Sequence, residues 1–423
     1  MTYNTTEDKY WNPTDLDAEL NRVYDICYGC QLCFNLCDSF PVLFDFVDER
    51  GDEVEEMTQD EKRKVVELCF QCKLCYPKCP YTPPHEWAID FPRLMQRAKL
   101  VWNTEDPAKS QHKLLGNPEI IGKIGSKFSS LVNWANNNKL TRSLMEKSVG
   151  IHRDRNLPQY HGQTFEKWAK KRSFRTFSEE ERNGRIALFF TCTVNYNHPD
   201  VGQAAVEVLE RNKVEVTIPE QMCCGAPLLH GGGYHEAVEK VKVNLEHLHQ
   251  AIQAGYDIIA PSPTCSMMLK EEYTLLVDHP HAQEVAEKTY DLCEYLMNLH
   301  REKKFDTNFG KGFGKVAYHF PCHLKNQNIG YTSRNLLRLL PDTEVELIDR
   351  CSGFDGVWGM HKDTYELSLK YGQKLFRGIE GAKPDVVVSD CPLSQLQIEK
   401  GVKKQAIHPI LLIWEAYTTV SNR

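Results

Sequence analysis

The sequence predicts a mixed α+β and α/β fold: a helical, cysteine-rich N-terminal domain, a helical connector and two repeated α/β half-domains. Three observations carry this prediction. Eight of the sixteen cysteines lie within residues 27–79. From residue 185 onward, apolar strands alternate with amphipathic helices, which is typical of a parallel sheet. This alternation then occurs a second time, with cysteines at matching places. The predicted domains are residues 1–100, 101–184, 185–305 and 306–423.

The N-terminal cysteines form two runs with the same spacing. The runs are Cys27, Cys30, Cys33 and Cys37, then Cys69, Cys72, Cys75 and Cys79, the last followed by Pro80. A loop of this spacing supplies three thiolates to a cubane [4Fe–4S] cluster, and the fourth thiolate comes from the other run. The spacing therefore predicts two [4Fe–4S] clusters. The predicted ligands are Cys27, Cys30, Cys33 and Cys79 for cluster 1, and Cys37, Cys69, Cys72 and Cys75 for cluster 2.

A pair of structural zinc sites is the alternative for these cysteines. Zinc usually takes two Cys-x-x-Cys pairs separated by a longer loop, so three cysteines in one turn favour iron–sulfur clusters. One residue departs from the ferredoxin pattern, because Asp38 rather than proline follows Cys37. Helices are predicted on both sides of the runs, over residues 13–26 with a cap at Thr14 or Asp15, and after Pro80, packed under the clusters.

Composition and charge restrict the class of protein. Clustered cysteines in a 423-residue chain whose first residues do not resemble a signal peptide predict metal ligands in the reducing cytoplasm. Residues 1–99 carry 19 acidic and 11 basic side chains, and such an acidic domain suits a basic redox partner. No basic domain with interleaved aromatic residues is present, which argues against nucleic-acid binding.

The connector, residues 101–184, contains no cysteine and reads as basic helices broken by glycines. Two interpretations stay open for it. An interfacial helix could touch anionic lipid or a membrane subunit, which would make the protein peripheral on the inner face of the membrane. The preferred interpretation is a helical region that packs on the flanking domains. No apolar run approaches the roughly 18 residues of a membrane span.

The two C-terminal half-domains each place cysteines just after predicted strands. In the first half these are Cys192, the pair Cys223 and Cys224, and Cys265. The matching cysteines Cys322 and Cys351 lie 130 and 128 residues further on, and Cys391 matches Cys265. Ligands of open α/β sheets bind at the carboxyl ends of the strands, so the four cysteines of the first half are predicted to converge on one metal site. Cys293 lies in a predicted helix without a partner pattern and is expected to be a core residue.

At this point the chain resembles the two-CCG-domain iron–sulfur proteins. These are the C subunit of anaerobic glycerol-3-phosphate dehydrogenase, the proteins of the heterodisulfide reductase D-type, and the iron–sulfur subunits of glycolate and lactate oxidases. The paired cysteine runs carry the resemblance together with FFTCTVNYNHPDVG, QMCCGAPLL and YHFPCHLK. The N-terminal stretch DICYGCQLCFNLCDSFPVLFD resembles a heterodisulfide reductase-related bacterial branch whose genes are found near rubrerythrin.

The resemblance implies electron transfer through the two ferredoxin-type clusters and one further cluster, cubane or non-cubane, at the CCG cysteines. It assigns Cys192, Cys223, Cys224 and Cys265 to the first CCG site, and Cys322, Cys351 and Cys391 to the second. The second half departs from the family pattern at Ser352 and Ser394, where ligand cysteines would stand. Three interpretations of that half stay open. It could hold a cluster with a non-cysteine fourth ligand, and His323 is adjacent to Cys322. It could instead hold a cluster with an open iron, or be an empty site.

Two functions remain compatible with the sequence. The first is an electron-transfer subunit. Its partner on one side would be a flavoprotein dehydrogenase or a rubrerythrin-type redox protein. On the other side it would meet a quinone, a membrane or quinone-linked subunit, or another acceptor. The second is a heterodisulfide, disulfide or peroxide-linked reductase whose active site is the CCG-bound cluster. No flavin or nicotinamide site is expected, because the glycine run at residues 310–314 precedes its strand instead of following it. Any hydride chemistry would then belong to a partner.

Overall fold

The computed structural model describes residues 3–105 and 115–421. The part of the predicted connector at residues 106–114 lies outside the described residues. Among the described helices, none is both long enough and apolar enough to span a bilayer.

Helices build the N-terminal unit. They are α1 (Asp8–Trp11), α2 (Pro13–Cys30), α3 (Ser39–Glu49), a 3-10 turn (Val54–Glu56), α4 (Gln59–Leu68) and α5 (Phe91–Glu105). Helix α2 runs four residues further than predicted, into the first cysteine run. Its cap was predicted wrongly: the Asn12 side chain accepts the N–H of Asp15 at 3.0 Å, and Pro13 occupies the first helical position, where its missing N–H costs nothing.

The predicted helix after Pro80 is α5, and it packs under the cysteine loops. Its Leu94, Met95 and Ala98 are fully buried in one core with side chains of α2, α3 and α4. Six of the eight cysteines of the two runs lie against this core, so apolar side chains surround the thiols on the protein side.

The connector contributes four further helices. They are α6 (Pro118–Lys127), α7 (Ser129–Asn137), α8 (Lys139–Val149) and α9 (Phe165–Ala169). Of these, α6 and α9 contact the first half-domain. Two glycines allow α6 to pack closely against two tyrosine rings. A Cβ at Gly122 would lie 2.2 Å from the Tyr196 ring, and one at Gly125 would lie 2.6 Å from the Tyr160 ring. The inner face of α6 therefore packs on its surroundings, as the preferred interpretation expected.

The first half-domain is a four-stranded parallel sheet in the order β2-β1-β3-β4. Its strands are β1 (Gly184–Leu188), β2 (Val214–Thr217), β3 (Asp257–Ala260) and β4 (Thr289–Asp291). Its helices are α10 (Cys192–Tyr196), α11 (Pro199–Arg211), α12 (Ala226–His230), α13 (Tyr234–Gln253), α14 (Pro263–Met267), a π-helical turn (Met268–Glu272), α15 (Tyr273–Leu276), α16 (Ala282–Glu287) and α17 (Leu292–Arg301).

The second half-domain repeats this topology, with a parallel sheet in the order β6-β5-β7-β8. Its strands are β5 (Gly314–His319), β6 (Thr343–Ile348), β7 (Val386–Ser389) and β8 (Ala406–Ile407). Its helices are α18 (Cys322–Asn326), α19 (Thr332–Leu337), α20 (Gly356–Met360), α21 (Tyr365–Ala382), α22 (Pro392–Val402) and α23 (Pro409–Ser421). The predicted repeat is thus seen strand for strand. The sequence analysis missed the short edge strands β4 and β8.

The last helix joins the two halves. Ile410, Ile413 and Tyr417 of α23 belong to the core of the first half, whereas Leu412 and Ala416 belong to that of the second. The chain therefore returns from the second sheet to complete the hydrophobic core of the first.

Candidate metal centres

The four thiols predicted for cluster 1 line one small cavity. Cys27, Cys30, Cys33 and Cys79 share it with apolar side chains that include Ile26, Phe40, Phe44 and Ile89. Three of them come from the turn at the end of α2, and Cys79 comes from the end of the second run. Burial and the neighbouring thiols raise the pKa of Cys27, and burial raises that of Cys33 to about 11.

The four thiols predicted for cluster 2 also lie together. Cys37 interacts electrostatically with Cys72 and Cys69, and Cys75 interacts with all three of these. The Gln71 side-chain amide donates to Cys69 Sγ at 3.5 Å. The Cys37 thiol thus lies with the thiols of the second run, and the Cys79 thiol lies with those of the first run. Two-cluster ferredoxin spacing predicts this crossed arrangement.

Backbone conformation adapts both loops in the same way. Gln31 follows Cys30 with φ 51°, and Lys73 follows Cys72 with φ 58°. Positive φ is uncommon outside glycine and turns the chain sharply at these equivalent positions. Each turn lets three thiols of a run face a common centre instead of spreading along a helix.

Asp38, the departure from the ferredoxin pattern, has a structural role. Its backbone N–H donates to Tyr371 Oη at 2.7 Å, and its carboxylate pairs with Lys370 at 3.1 Å. Proline has no N–H and could not make the first bond. The residue after Cys37 therefore helps to hold the N-terminal unit on helix α21 of the second half-domain.

The four cysteines of the first CCG site converge at the carboxyl edge of the first sheet. Cys192 starts α10 just after β1, the Cys223–Cys224 pair follows β2, and Cys265 lies in α14 after β3. The Sγ atoms of Cys192 and Cys223 are 4.0 Å apart, and those of Cys224 and Cys265 are 3.3 Å apart. Free thiols this close, three of them buried and none in a disulfide, have the donor chemistry of a thiolate-ligated metal centre.

The surroundings of Cys223 favour its thiolate. Hydrogen bonds from Cys192 and Cys224 lower the pKa of Cys223, with help from the Gly225 N–H and the Lys240 charge. Glu119 of α6 accepts the Cys223 backbone N–H at 2.8 Å and pairs with Lys240. The sequence analysis missed Glu119 and Lys240, because nothing in the local sequence connects two charged residues 121 positions apart.

A cavity of about 510 Å³ opens beside Cys192 and Cys223. Phe174, Phe190 and Tyr196 contribute apolar walls, while Lys123 and Glu119 bring charged groups. Its size falls in the range of small-molecule sites.

The second CCG set faces the N-terminal unit. Cys322 interacts electrostatically with Cys391 and with Cys72 of the predicted cluster 2. The Cys351 thiol is in hydrogen-bond contact with Cys72. The two serines that replace ligand cysteines touch each other: Ser394 Oγ and Ser352 Oγ are 3.0 Å apart and both side chains are buried.

His323 does not supply the missing ligand in this arrangement. Its Nε2 donates to the Gln71 carbonyl at 2.8 Å, so its Nδ1 accepts from the Thr264 hydroxyl at 2.9 Å. Burial lowers the pKa of His323 to about 4, which keeps the ring neutral. Both nitrogens are therefore occupied in holding three parts of the chain together.

Because the two serines are in contact, we expect the Ser352→Cys/Ser394→Cys double variant to gain thiolate ligands beside Cys351 and Cys391. The expected result is additional bound iron per chain, up to about four atoms if a cubane forms. Iron and acid-labile sulfide analysis after anaerobic reconstitution measures it, with the wild-type chain as control. Unchanged iron content without a new disulfide would show that this half cannot hold a cluster even with a full set of thiols.

Cys293 lies apart from these sets and is fully buried in the core, as expected. It is hydrogen-bonded with Ser333 and Asp390, and Asp390 also accepts the Tyr318 hydroxyl at 2.7 Å. This closed network at the junction of the two halves serves as a structural contact.

Comparisons with known proteins show which family the chain resembles. The model of the CCG cysteine-rich domain matches residues 186–270 and 316–399, and that of the citrate utilization protein B Fer4-like domain matches residues 20–105. The chain is 30% identical over 334 residues to the C subunit of anaerobic glycerol-3-phosphate dehydrogenase of Escherichia coli (strain K12), a match that covers 76% of this chain and 81% of that protein.

Two further relatives cover less of the chain. Lactate utilization protein A of Halalkalibacterium halodurans is 32% identical over 49% of this chain and 85% of its own length. The B subunit of fumarate reductase (CoM/CoB) of Methanothermobacter marburgensis is 30% identical over 53% of this chain and 43% of its own length.

Proposed function

Because the chain belongs to the family of two-CCG-domain iron–sulfur proteins that includes the C subunit of anaerobic glycerol-3-phosphate dehydrogenase, we propose that it is the electron-transfer subunit of an oxidoreductase complex. It relays electrons between a partner flavoprotein or rubrerythrin-type redox protein and a quinone or other acceptor, in the cytoplasm. The observation that carries the proposal is the crossed convergence of two four-thiol sets on an apolar core. The domain boundaries at residues 100, 184 and 305 are part of the same proposal.

The thiol sets fit iron–sulfur clusters better than zinc. Three thiols of each run lie in one turn, and the fourth comes from the other run, a geometry suited to a cube rather than to a single ion. Cubane clusters bound by Cys27, Cys30, Cys33 and Cys79, and by Cys37, Cys69, Cys72 and Cys75, would supply one-electron carriers. The CCG cysteines Cys192, Cys223, Cys224 and Cys265 would hold a further cluster.

The surroundings of the two ferredoxin-type sites suggest an order along the relay. Leu32, Phe34 and Trp87, near the cluster 1 thiols, are 40–48% exposed, which suits electron exchange with an external partner. Among the cluster 2 thiols Cys69 is buried, and Cys72 touches Cys351 of the second half. We therefore propose that electrons enter or leave at cluster 1 and pass inward through cluster 2 to the CCG region.

Protein groups around cluster 2 support a reduced, negatively charged centre. The partly buried Lys99 ammonium donates to the Cys69 carbonyl at 2.6 Å, whereas the charge of Lys73, which follows Cys72 directly, is offset by Glu272. A positive charge such as that of Lys99, so close to a cluster, stabilises its reduced form and raises its potential.

The first test is spectroscopic. Protein purified without oxygen is expected to contain about eight irons at the two N-terminal sites plus those of a CCG cluster. After reduction, EPR should show two magnetically coupled cubanes and a further signal. Stoichiometric zinc with no acid-labile sulfide would contradict the proposal.

A reductase whose active site is the CCG-bound cluster is the second candidate function, and the cavity beside Cys192 and Cys223 favours it. The isolated protein would then turn over a disulfide with a dithionite-reduced dye. Fast electron acceptance without turnover would leave the relay as the function.

A further inference from the structure

We propose that the outer face of helices α6, α7 and α8 binds the surface of an anionic lipid bilayer. Thirteen large apolar side chains are exposed in the described part of the chain; six of them lie within these three short helices, and a seventh, Phe128, lies at the junction of α6 and α7. The seven are Ile120, Ile124, Phe128, Leu131, Trp134, Leu140 and Leu144, with exposures from 48% to 82%. Such a concentration exceeds the scattered exposed apolar residues of an ordinary surface.

The apolar residues share one side of each helix. Ile120 and Ile124 are four residues apart in α6, Leu131 and Trp134 are three apart in α7, and Leu140 and Leu144 are four apart in α8. Each pair therefore shares one face of its helix, and Phe128 lies at the junction of α6 and α7. The opposite face of α6 is fixed, because Gly122 and Gly125 lie against the rings of Tyr196 and Tyr160. The apolar face therefore points away from the first half-domain and cannot turn inward without losing this packing.

The exposed charge on the same helices has one sign. Within Pro118–Val149 the exposed charged residues are Lys123, Lys127, Lys139 and Lys147. The two carboxylates of this range are partly buried and paired, Glu119 with Lys240 and Glu146 with Arg153. An apolar stripe flanked by lysines that can reach headgroup phosphates is the pattern of a helix lying in a membrane interface.

Lipid suits this face better than a soluble protein partner does. The stripe contains Trp134, and tryptophan favours the headgroup boundary of a bilayer. A single sign of exposed charge matches the negative surface of anionic lipid, whereas an interface between two copies would bring these lysines together.

The face is continuous with the first CCG site. On α6, Glu119 contacts the Cys223 backbone, and the exposed Lys123 also lines the cavity with Cys192. Binding of the outer face to lipid would hold that cavity beside the bilayer, where an apolar electron acceptor dissolves. This consequence, unlike lipid binding itself, rests on the proposed function.

The test is flotation of the anaerobically purified, cluster-containing chain with vesicles. We expect binding to phosphatidylcholine vesicles containing about 30% phosphatidylglycerol, weaker binding to pure phosphatidylcholine, and loss of the difference at high salt. The triple variant Ile124→Glu/Leu131→Glu/Leu140→Glu should bind the anionic vesicles at least about tenfold more weakly. Val243→Glu, which changes an exposed apolar residue elsewhere, should bind as the wild type does.

The outcomes separate the alternatives. No flotation with either vesicle, or equal flotation of wild type and triple variant, would overturn the proposal. A concentration-dependent dimer that the triple variant abolishes, seen by light scattering without lipid, would assign the face to a second copy instead. Iron content and EPR are recorded for every variant, so that a chain lacking clusters that still floats contradicts the proposed function and leaves the lipid-binding face standing.

Discussion

Replacing Cys37 with serine is expected to remove cluster 2 while cluster 1 remains. Cys37 belongs to the first cysteine run, but its thiol lies with Cys69, Cys72 and Cys75. If these four are the ligands, the variant should lose about four irons and the magnetic coupling between the two reduced cubanes, leaving an uncoupled cluster 1 signal beside that of the CCG cluster. Electron transfer from a reduced dye at cluster 1 to the CCG region should fall to background, because the relay is interrupted at its middle.

Cys293→Ser is the matched control for this prediction. Cys293 is a buried cysteine outside every proposed ligand set, and its replacement should leave the iron content and both EPR signals unchanged. Equal iron loss in the two variants would indicate general unfolding. A Cys37→Ser protein that keeps two coupled cubanes would contradict the crossed ligand assignment.

The cysteine spacing was informative because ligand geometry restricts the sequence locally. A turn that presents three thiols to one centre needs the same intervals wherever it occurs, and the repeated strands ending at Cys192 and Cys322 carry the same local pattern. The sequence therefore predicted both sheets and the residues that approach one another. The identity of the family that it suggested is confirmed by the comparisons.

Contacts between the units could not be predicted in this way. The return of α23 into the first core depends on packing between segments roughly 200 residues apart, such as Tyr417 with Asn212. The hydrogen bond from Asp38 to Tyr371 is also a contact between distant segments. The sequence showed only that Asp38 stands where the ferredoxin pattern has a proline. Tertiary context decides such positions, and local sequence patterns do not report it.

The largest stability effect is expected from one such contact, at Glu272. This buried carboxylate, in the π-helical turn of the first half-domain, pairs with Lys73 in the cluster 2 loop and with Arg93 of α5 at 3.1 Å. Glu272→Gln would leave the buried Lys73 ammonium without its counter-charge. Removing one partner of a buried ion pair costs about 3–5 kcal/mol, which for a chain of this size lowers the melting temperature by roughly 3–6 °C.

Glu271→Gln offers a matched control one residue away. Glu271 is more exposed and lies 3.7 Å from Arg93, so its replacement should cost less than about 1 kcal/mol. Thermal unfolding of the two variants and the wild type, each with equal iron content, measures the difference. Equal destabilisation by both variants would show that Glu272 does not anchor the cluster 2 loop.

The pH dependence of this contact follows from the Glu272 pKa. Burial alone would raise that pKa, but Lys73 and Arg93 outweigh burial and lower it from 4.5 to about 2. A carboxyl whose pKa falls on folding contributes its full stability above the unfolded value of 4.5 and loses it as the pH falls toward 2. The wild type should therefore keep a constant advantage over Glu272→Gln in melting temperature from about pH 8 to pH 5, since Glu272 remains ionised in both the folded and the unfolded chain there. If the difference in melting temperature already shrinks between pH 7 and pH 5, Glu272 is partly protonated in the folded protein. That result would mean that Lys73 and Arg93 do not outweigh the effect of burial on the Glu272 pKa.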